Sequence, residues 1–187
     1  MDNSIPGRMK PKTVDKWDRR YFRLASRIAR WSKDPKAQVG AVLLNRWGWP
    51  IALGYNGFPA GIEDDVNKLA DSKLKNDMVV HAEQNVLLVS GANARCGTIY
   101  VYGKPVCPRC AVLIIQAGIE RVVGIQPDPK ANPKSDTHKS GCISLTMFKE
   151  AKVTFVPLDP KILQTKKKKK KKPQHRLTNP DMGLPKA

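Results

Sequence analysis

Two stretches decide how this chain folds: Val79-Val80-His81-Ala82-Glu83-Gln84-Asn85-Val86-Leu87-Leu88-Val89-Ser90 and, further on, Lys104-Pro105-Val106-Cys107-Pro108-Arg109-Cys110. In the first, Ala82, Val86, Leu87 and Val89 predict a mostly buried helix over 79–90 that Gly91 ends. In the second, Pro108 suits the first turn of a helix over 107–117, with Gly118 as its stop. His81 and Cys107 are 26 residues apart, enough for a helix, a connection and a strand at 98–102 that returns the chain beside its start. That arrangement brings the two helix beginnings together.

Upstream, apolar residues recur at Trp17, Tyr21, Leu24, Ala25, Ile28, Ala29 and Trp31, a helical stripe with arginines on the opposite face. Asp34-Pro35 should stop that helix. Strands over 38–44 and 50–55 follow, joined by the turn-like Asn45-Arg46-Trp47-Gly48-Trp49. Residues 56–77 read as a polar loop with one short helix around 66–74. Downstream, 119–125 is β-rich, 126–140 a proline-containing loop, 143–150 a helix and 152–156 a last strand. After the opening helix the order is β-β-α-β-α-β-α-β, which implies an α/β protein whose mixed five-stranded sheet is covered by helices on both faces.

The 187 residues fit one domain with short extensions: a flexible arm over 1–13, a folded domain over 14–160 and a disordered lysine-rich tail over 161–187. With 41% hydrophobic and 27% charged residues the chain can bury a core. No apolar run approaches the roughly 18 residues of a membrane span, and the first residues lack the apolar region of a secretion signal. A cytoplasmic protein is the expectation. The net charge of +18 exceeds what solubility requires. From 165 onward, Lys166 through Lys172, Arg176 and Lys186 face Asp181 alone, so this tail holds +8 and the rest +10. Such a surface suits a polyanion or a phosphorylated small molecule, and the tail alone is a candidate nucleic-acid tether or a solvated terminus.

Four cysteines and three histidines narrow the chemistry. Cys107 and Cys110 form a C-x-x-C, read in a reducing compartment as metal ligand or redox motif sooner than as disulfide. One imidazole, His81, and these two thiolates make a tetrahedral zinc site whose fourth position is left to water, the open form of catalytic zinc. Thiolates at a helix start are stabilised by free N–H groups and the helix dipole. Glu83, two residues after His81, is placed to move a proton between zinc-bound water and a substrate. A lone C-x-x-C would equally suit a redox pair or half a zinc ribbon, but no second pair exists. Cys96 and Cys142 have no metal-like spacing and read as small apolar residues. Trp47 and Trp49 are expected to pack on the parent domain, with a subunit contact as the alternative.

H-x-E followed by P-C-x-x-C is the signature of zinc nucleobase deaminases, and Val106 between Pro105 and Cys107 is its one departure here. With Ser32-Lys33-Asp34-Pro35-Lys36-Ala37-Gln38-Val39-Gly40-Ala41, Gly54-Tyr55-Asn56-Gly57 and Leu113-Ile114-Ile115-Gln116-Ala117-Gly118-Ile119, the chain resembles the deoxycytidylate deaminase family over about residues 15–158. The resemblance implies a three-layer α/β/α cytidine-deaminase-like fold, one zinc per chain and hydrolysis of dCMP to dUMP and ammonia, feeding thymidylate synthesis. It implies attack by zinc hydroxide at C4, Glu83 protonating N3 and then the leaving ammonia, the Ala82 backbone bonded to the base, and Asn56 at the sugar. Lys36 sits where a basic residue can meet the 5′-phosphate, and is equally a solvated loop lysine. Many family members are homohexamers regulated by dCTP with Mg2+ and by dTTP, with Gly54, Tyr55 and Gly57 near the effector.

Departures keep alternatives open. Residues 58–80 contain no cysteine or histidine for a second zinc, and 126–138 has no clear match to the aromatic that closes over the base. Another free nucleotide (dCTP, a modified cytosine or a purine nucleotide), a base in RNA or single-stranded DNA, or a non-catalytic zinc module binding nucleic acid are the competing readings.

Overall fold

The computed structural model describes residues 14–128 and 135–163. The arm at 1–13 and the lysine run at 166–172 lie outside the described residues. The chain opens with α1 (Lys16–Ala29), then β1 (Gly40–Leu44) and β2 (Pro50–Tyr55). Three helices follow, α2 (Val66–Ala70), α3 (Ser72–Met78) and α4 (Ala82–Ser90). The remainder alternates β3 (Thr98–Tyr102), α5 (Pro108–Gln116), β4 (Arg121–Gly124), α6 (Asp136–Glu150) and β5 (Thr154–Pro157). The strands form one sheet in the order β2-β1-β3-β4-β5. β1 is antiparallel to both neighbours, while β3, β4 and β5 run parallel through α5 and α6. The mixed five-stranded sheet expected from the strand order is therefore present.

Strand alternation explains the layers, because successive side chains point to opposite faces. Val42, Leu44, Tyr100 and Val123 pack with Phe22 and Ala25 of α1. Ala41, Leu43, Ile99, Val101 and Val122 pack with Val86 of α4, Ile114 of α5 and Phe148 of α6. The central strands β1, β3 and β4 are buried on both faces and so read as continuous apolar runs, whereas β2 at the edge alternates buried and exposed. α1 starts with a reciprocal cap: Asp18 N–H donates to Asp15 Oδ1 at 2.8 Å and Asp15 N–H to Asp18 Oδ2 at 3.1 Å. It lies so close to β1 that a Cβ on Gly40 would come within 2.2 Å of the Ala25 carbonyl oxygen.

Several expectations are corrected. α1 ends at Ala29, before Asp34-Pro35 is reached. The polar region after β2 holds two helices, because Asp65 and Asp71 each cap one by accepting two backbone N–H bonds. α6 starts at Asp136, seven residues earlier than its apolar pattern shows, since Ser135 accepts from His138 N–H and caps it. α4 starts at Ala82 and is less buried than expected, with Leu88 and Val89 at 77% and 75% exposure. Trp47 and Trp49 do not pack on the domain. Asn45 Oδ1 accepts from both of their N–H groups to build the turn, leaving the indoles 55% and 69% exposed. Cys142 is exposed rather than a packed apolar residue. Of the segment read as tail, 161–163 instead complete a 3-10 turn, Pro160–Leu163, whose Leu163 packs with the α1 cluster.

Candidate functional site

The starts of α4 and α5 meet beyond the carboxyl ends of β2 and β3, the usual side for a site in an open α/β sheet. His81 is the N-cap of α4 and Cys107 the N-cap of α5, both with extended backbone, and Pro108 occupies the first turn of α5. His81 N–H donates to Gln84 Oε1 at 2.8 Å, which fixes the cap backbone through a side chain other than the imidazole. Cys110, three residues after Cys107, lies on the same side of that first turn. The Sγ atoms of Cys107 and Cys110 are 3.5 and 3.3 Å from His81 Nδ1.

The ligand atoms of His81, Cys107 and Cys110 all lie within 4.8 Å of one another, the one group among the described residues with this metal-binding geometry. One borderline nitrogen and two soft sulfurs are a donor set suited to zinc. Electrostatics agree. The Cys110 thiol as hydrogen-bond donor, then His81 and the Cys110 backbone N–H, outweigh burial and hold Cys107 down to about 4, a ready thiolate. Cys110, donating to Cys107 and buried, is pushed up. Hydrogen bonding to Cys107 raises His81. Glu83, 3% exposed in the first turn of α4, is raised by burial against the pull of its own backbone and His81. A carboxyl raised by burial is a better proton acceptor than an ordinary one and can return the proton to a substrate.

His81, Glu83 and Cys107 line a cleft of ≈ 440 Å³, with Cys110 buried behind them, within the range of small-molecule sites. Asn56 lines it too, but its amide is engaged: Oδ1 accepts from Val39 N–H at 2.8 Å and Nδ2 donates to the Ala37 carbonyl at 2.9 Å. It thereby braces the loop carrying Asp34. Lys36 is exposed, is not among the residues lining the cleft, and donates from Nζ to Ser72 Oγ. The cleft cations are Lys75, Lys104 and Arg109, with Asp77 and Asp136 as carboxylates on its wall.

Lys75 was missed by sequence reasoning. It is 5% exposed, and its Nζ bonds both oxygens of the 7% exposed Asp34 at 2.9 and 2.8 Å. Burial opposes ionisation of Asp34, but Lys75 and the N–H groups of Lys36 and Ala37 outweigh it and hold its carboxyl below the usual range. The signal was the Asp71 cap, which makes 72–78 a helix and turns one lysine of a polar stretch inward.

The Gly-Tyr-Asn-Gly stretch seats α4. A Cβ on Gly54 would come within 2.8 Å of the Ala82 carbonyl oxygen and 2.9 Å of Val86 Cγ1. Gly57 and Val80 exchange backbone bonds of 3.2 and 2.9 Å immediately before His81. Asn85 Nδ2 donates to the Tyr55 carbonyl at 2.7 Å, while the Tyr55 ring is 40% exposed and meets Trp31 edge-on. Val106, the departure in the signature, is buried in the core, and Pro105 lines the cleft in its place.

Residues 15–126 match the family model of the cytidine and deoxycytidylate deaminase zinc-binding region. An uncharacterised deaminase from the luxG 3′ region of Aliivibrio fischeri is 34% identical over 148 residues, 78% of this chain and 97% of its own. The deoxycytidylate deaminase of Homo sapiens is 36% identical over 151 residues, 78% of this chain and 81% of its own. The dCMP deaminase of cyanophage S-TIM5, solved with dCMP and dUMP, shares the fold at TM-score 0.60 and 20% identity, over 78% of this chain and 99% of that one. Since the family model covers more than half of the sequence and the relatives align along most of it, this chain belongs to the cytidine and deoxycytidylate deaminase family.

Proposed function

We propose that this protein hydrolyses dCMP to dUMP and ammonia with one zinc ion held by His81, Cys107 and Cys110. The observation that carries the reading is the buried Glu83 carboxyl beside those three donors in a cleft of mononucleotide size. The deoxycytidylate deaminases among the relatives favour the substrate. Zinc bound by such a set supplies a nucleophilic oxygen from water at neutral pH. Glu83 would deliver one proton from that water to N3 of the ring, where it stays in the product, and a second, from the hydroxyl added at C4, to the amine, which leaves as ammonia. The Ala82 N–H, at the first position of α4 where an amide has no intrahelical partner, would hold the base. Asn56 positions the sugar by fixing the loop at 34–39. Lys104 and Arg109, on either side of Cys107, take over the role first given to Lys36 and meet the 5′-phosphate.

The reading extends to assembly and control. Leu88 and Val89 on α4, with Val112 and Leu113 on α5, are exposed apolar side chains on neighbouring helices, which supports a homo-oligomer. Gly57 pairs with Val80 next to His81, so dCTP with Mg2+, or dTTP, bound near Gly54, Tyr55 and Gly57 would act on the metal ligand through that pairing. Four free cysteines among the described residues suit the reducing cytoplasm.

The test is ammonia release from zinc-loaded protein given dCMP, CMP, dCTP, deoxycytidine or a cytosine-containing oligonucleotide. Turnover of dCMP well above the others is expected, and Lys104→Ala with Arg109→Ala should raise KM for dCMP more than Lys36→Ala does. Preference for the oligonucleotide or for deoxycytidine would contradict the reading.

A further inference from the structure

The exposed face of α1 has no part in the site just described. Its solvent-facing cations are Lys16, Arg19, Arg20, Arg23, Arg27 and Arg30, all exposed. At 3.6 residues per turn they fall within a sector of about 100° and run about 21 Å along the axis. The one acid within the helix, Asp18, is fully buried and bonded to Arg121 at 2.7 and 2.8 Å, so it neutralises nothing on this face. None of the six cations forms an ion pair with a carboxylate of the described residues. Like charges three and four residues apart destabilise a helix, and among the described residues no carboxylate is paired with them.

Aromatic groups flank the stripe. Trp17, 43% exposed, lies at its start with Arg20 4.6 Å over its ring. Trp31, 58% exposed, lies at its end beside the exposed Tyr55, the two rings meeting at 81°. Cations that track a backbone, with exposed rings on which bases stack, are the two components of single-strand recognition. A membrane surface fits less well. An interfacial helix must insert its apolar face, and here Phe22, Ala25, Ile28 and Ala29 are buried on the sheet.

We propose that the outer face of α1, from Lys16 to Trp31, is a docking surface for single-stranded nucleic acid, its arginines on phosphates and Trp31 stacked on a base. It lies on the face of the sheet opposite α4 and α5. The bound strand is therefore a tether and not the molecule being deaminated, and the inference stands independently of the reaction.

The test is anisotropy of a labelled oligo(dT) 20-mer against the full chain over a range of salt. The variant Arg20→Gln/Arg23→Gln/Arg27→Gln/Arg30→Gln should bind at least about tenfold more weakly. Loss of four phosphate contacts at about 0.7 each should reduce the slope of log K against log salt by about 3. Trp31→Ala should weaken the single strand about fivefold and leave a duplex of equal charge unaffected. Replacing Lys166 through Lys172 by glutamine separates the tail: the stripe effect must persist in that background. Unchanged Tm and zinc content show that the variants fold. No binding by the wild type, an unchanged affinity and slope in the arginine variant, or vesicles containing phosphatidylserine bound as tightly as oligo(dT) would each overturn the proposal.

Discussion

Each face of the sheet carries a buried polar cluster, and the two are built on opposite principles. On the α1 side, Asp18 accepts two bonds from the Arg121 guanidinium and one from the Tyr100 hydroxyl at 2.9 Å. Charge meets opposite charge in fork geometry, so the Asp18 carboxylate is neutralised within the protein. On the α4 and α5 side, His81, Cys107, Cys110 and Glu83 bring together groups of which none carries a permanent positive charge. The Cys107 thiol is held down chiefly by the Cys110 thiol that donates to it, and the Glu83 carboxyl is driven up by burial, a donor set that a cation from outside would complete. Burial of polar groups thus does not by itself mark a site. The mark is a cluster whose own members cannot neutralise one another.

The comparison breaks most sharply at Cys110. Cys110→Ser removes a soft ligand, so bound zinc measured by atomic absorption should drop well below one per chain, with deaminase turnover reduced by about 10³ or more. On the other face Arg121→Leu leaves Asp18 buried without its cation. A loss of about 3–5 kcal/mol is expected from denaturant unfolding, with turnover per folded, zinc-loaded molecule unchanged.

The same pair sets an acid limit. Burial opposes ionisation of Asp18, but Arg121, the Asp15 backbone and Tyr100 outweigh it and hold the carboxyl below its ordinary 3.8. A depressed carboxylate contributes its full stability above that ordinary value and loses it as pH falls through the folded one. Wild type should therefore lose stability steeply below about pH 4. Asp18→Asn should be less stable at pH 7 and show a shallower acid limb in Tm against pH.

A smaller effect connects the halves. Gly54→Ala pushes α4 off β2, and overpacking of this kind costs about 1–3 kcal/mol. Because α4 starts at the metal ligand, kcat for dCMP should fall with it, and the salt dependence of nucleic-acid binding should not change. At the weak end, Trp49→Ser touches neither cluster. Its effect on stability should stay within about 0.5 kcal/mol.

How much of this was legible depended on whether the signal was local. The succession of elements, the mixed sheet and the His81, Glu83, Cys107 and Cys110 cluster followed from alternation, helix stops and spacing, all carried by neighbouring residues, whereas the order of strands across the sheet did not. The start of α6 was hidden because Ser135 and Asp136 cap it from within a polar, proline-containing stretch. Lys75 was hidden because its partner Asp34 is 41 residues away, a distance no motif spans. Val89, Trp47 and Trp49 were expected inside on the strength of their apolarity, yet they are 75%, 55% and 69% exposed. Lys36 lay in a motif of the right family and still faces Ser72 rather than the cleft. Motif position fixes a residue's neighbourhood, and its direction needs the fold.

The central claim is that Glu83 moves the protons of a deamination while His81, Cys107 and Cys110 hold the metal. It is tested most directly by measuring zinc content and dCMP turnover together in Glu83→Gln. One zinc per chain with turnover reduced by about 10²–10⁴ is expected, since a general acid–base group contributes on that scale. Full turnover with zinc retained would contradict the account.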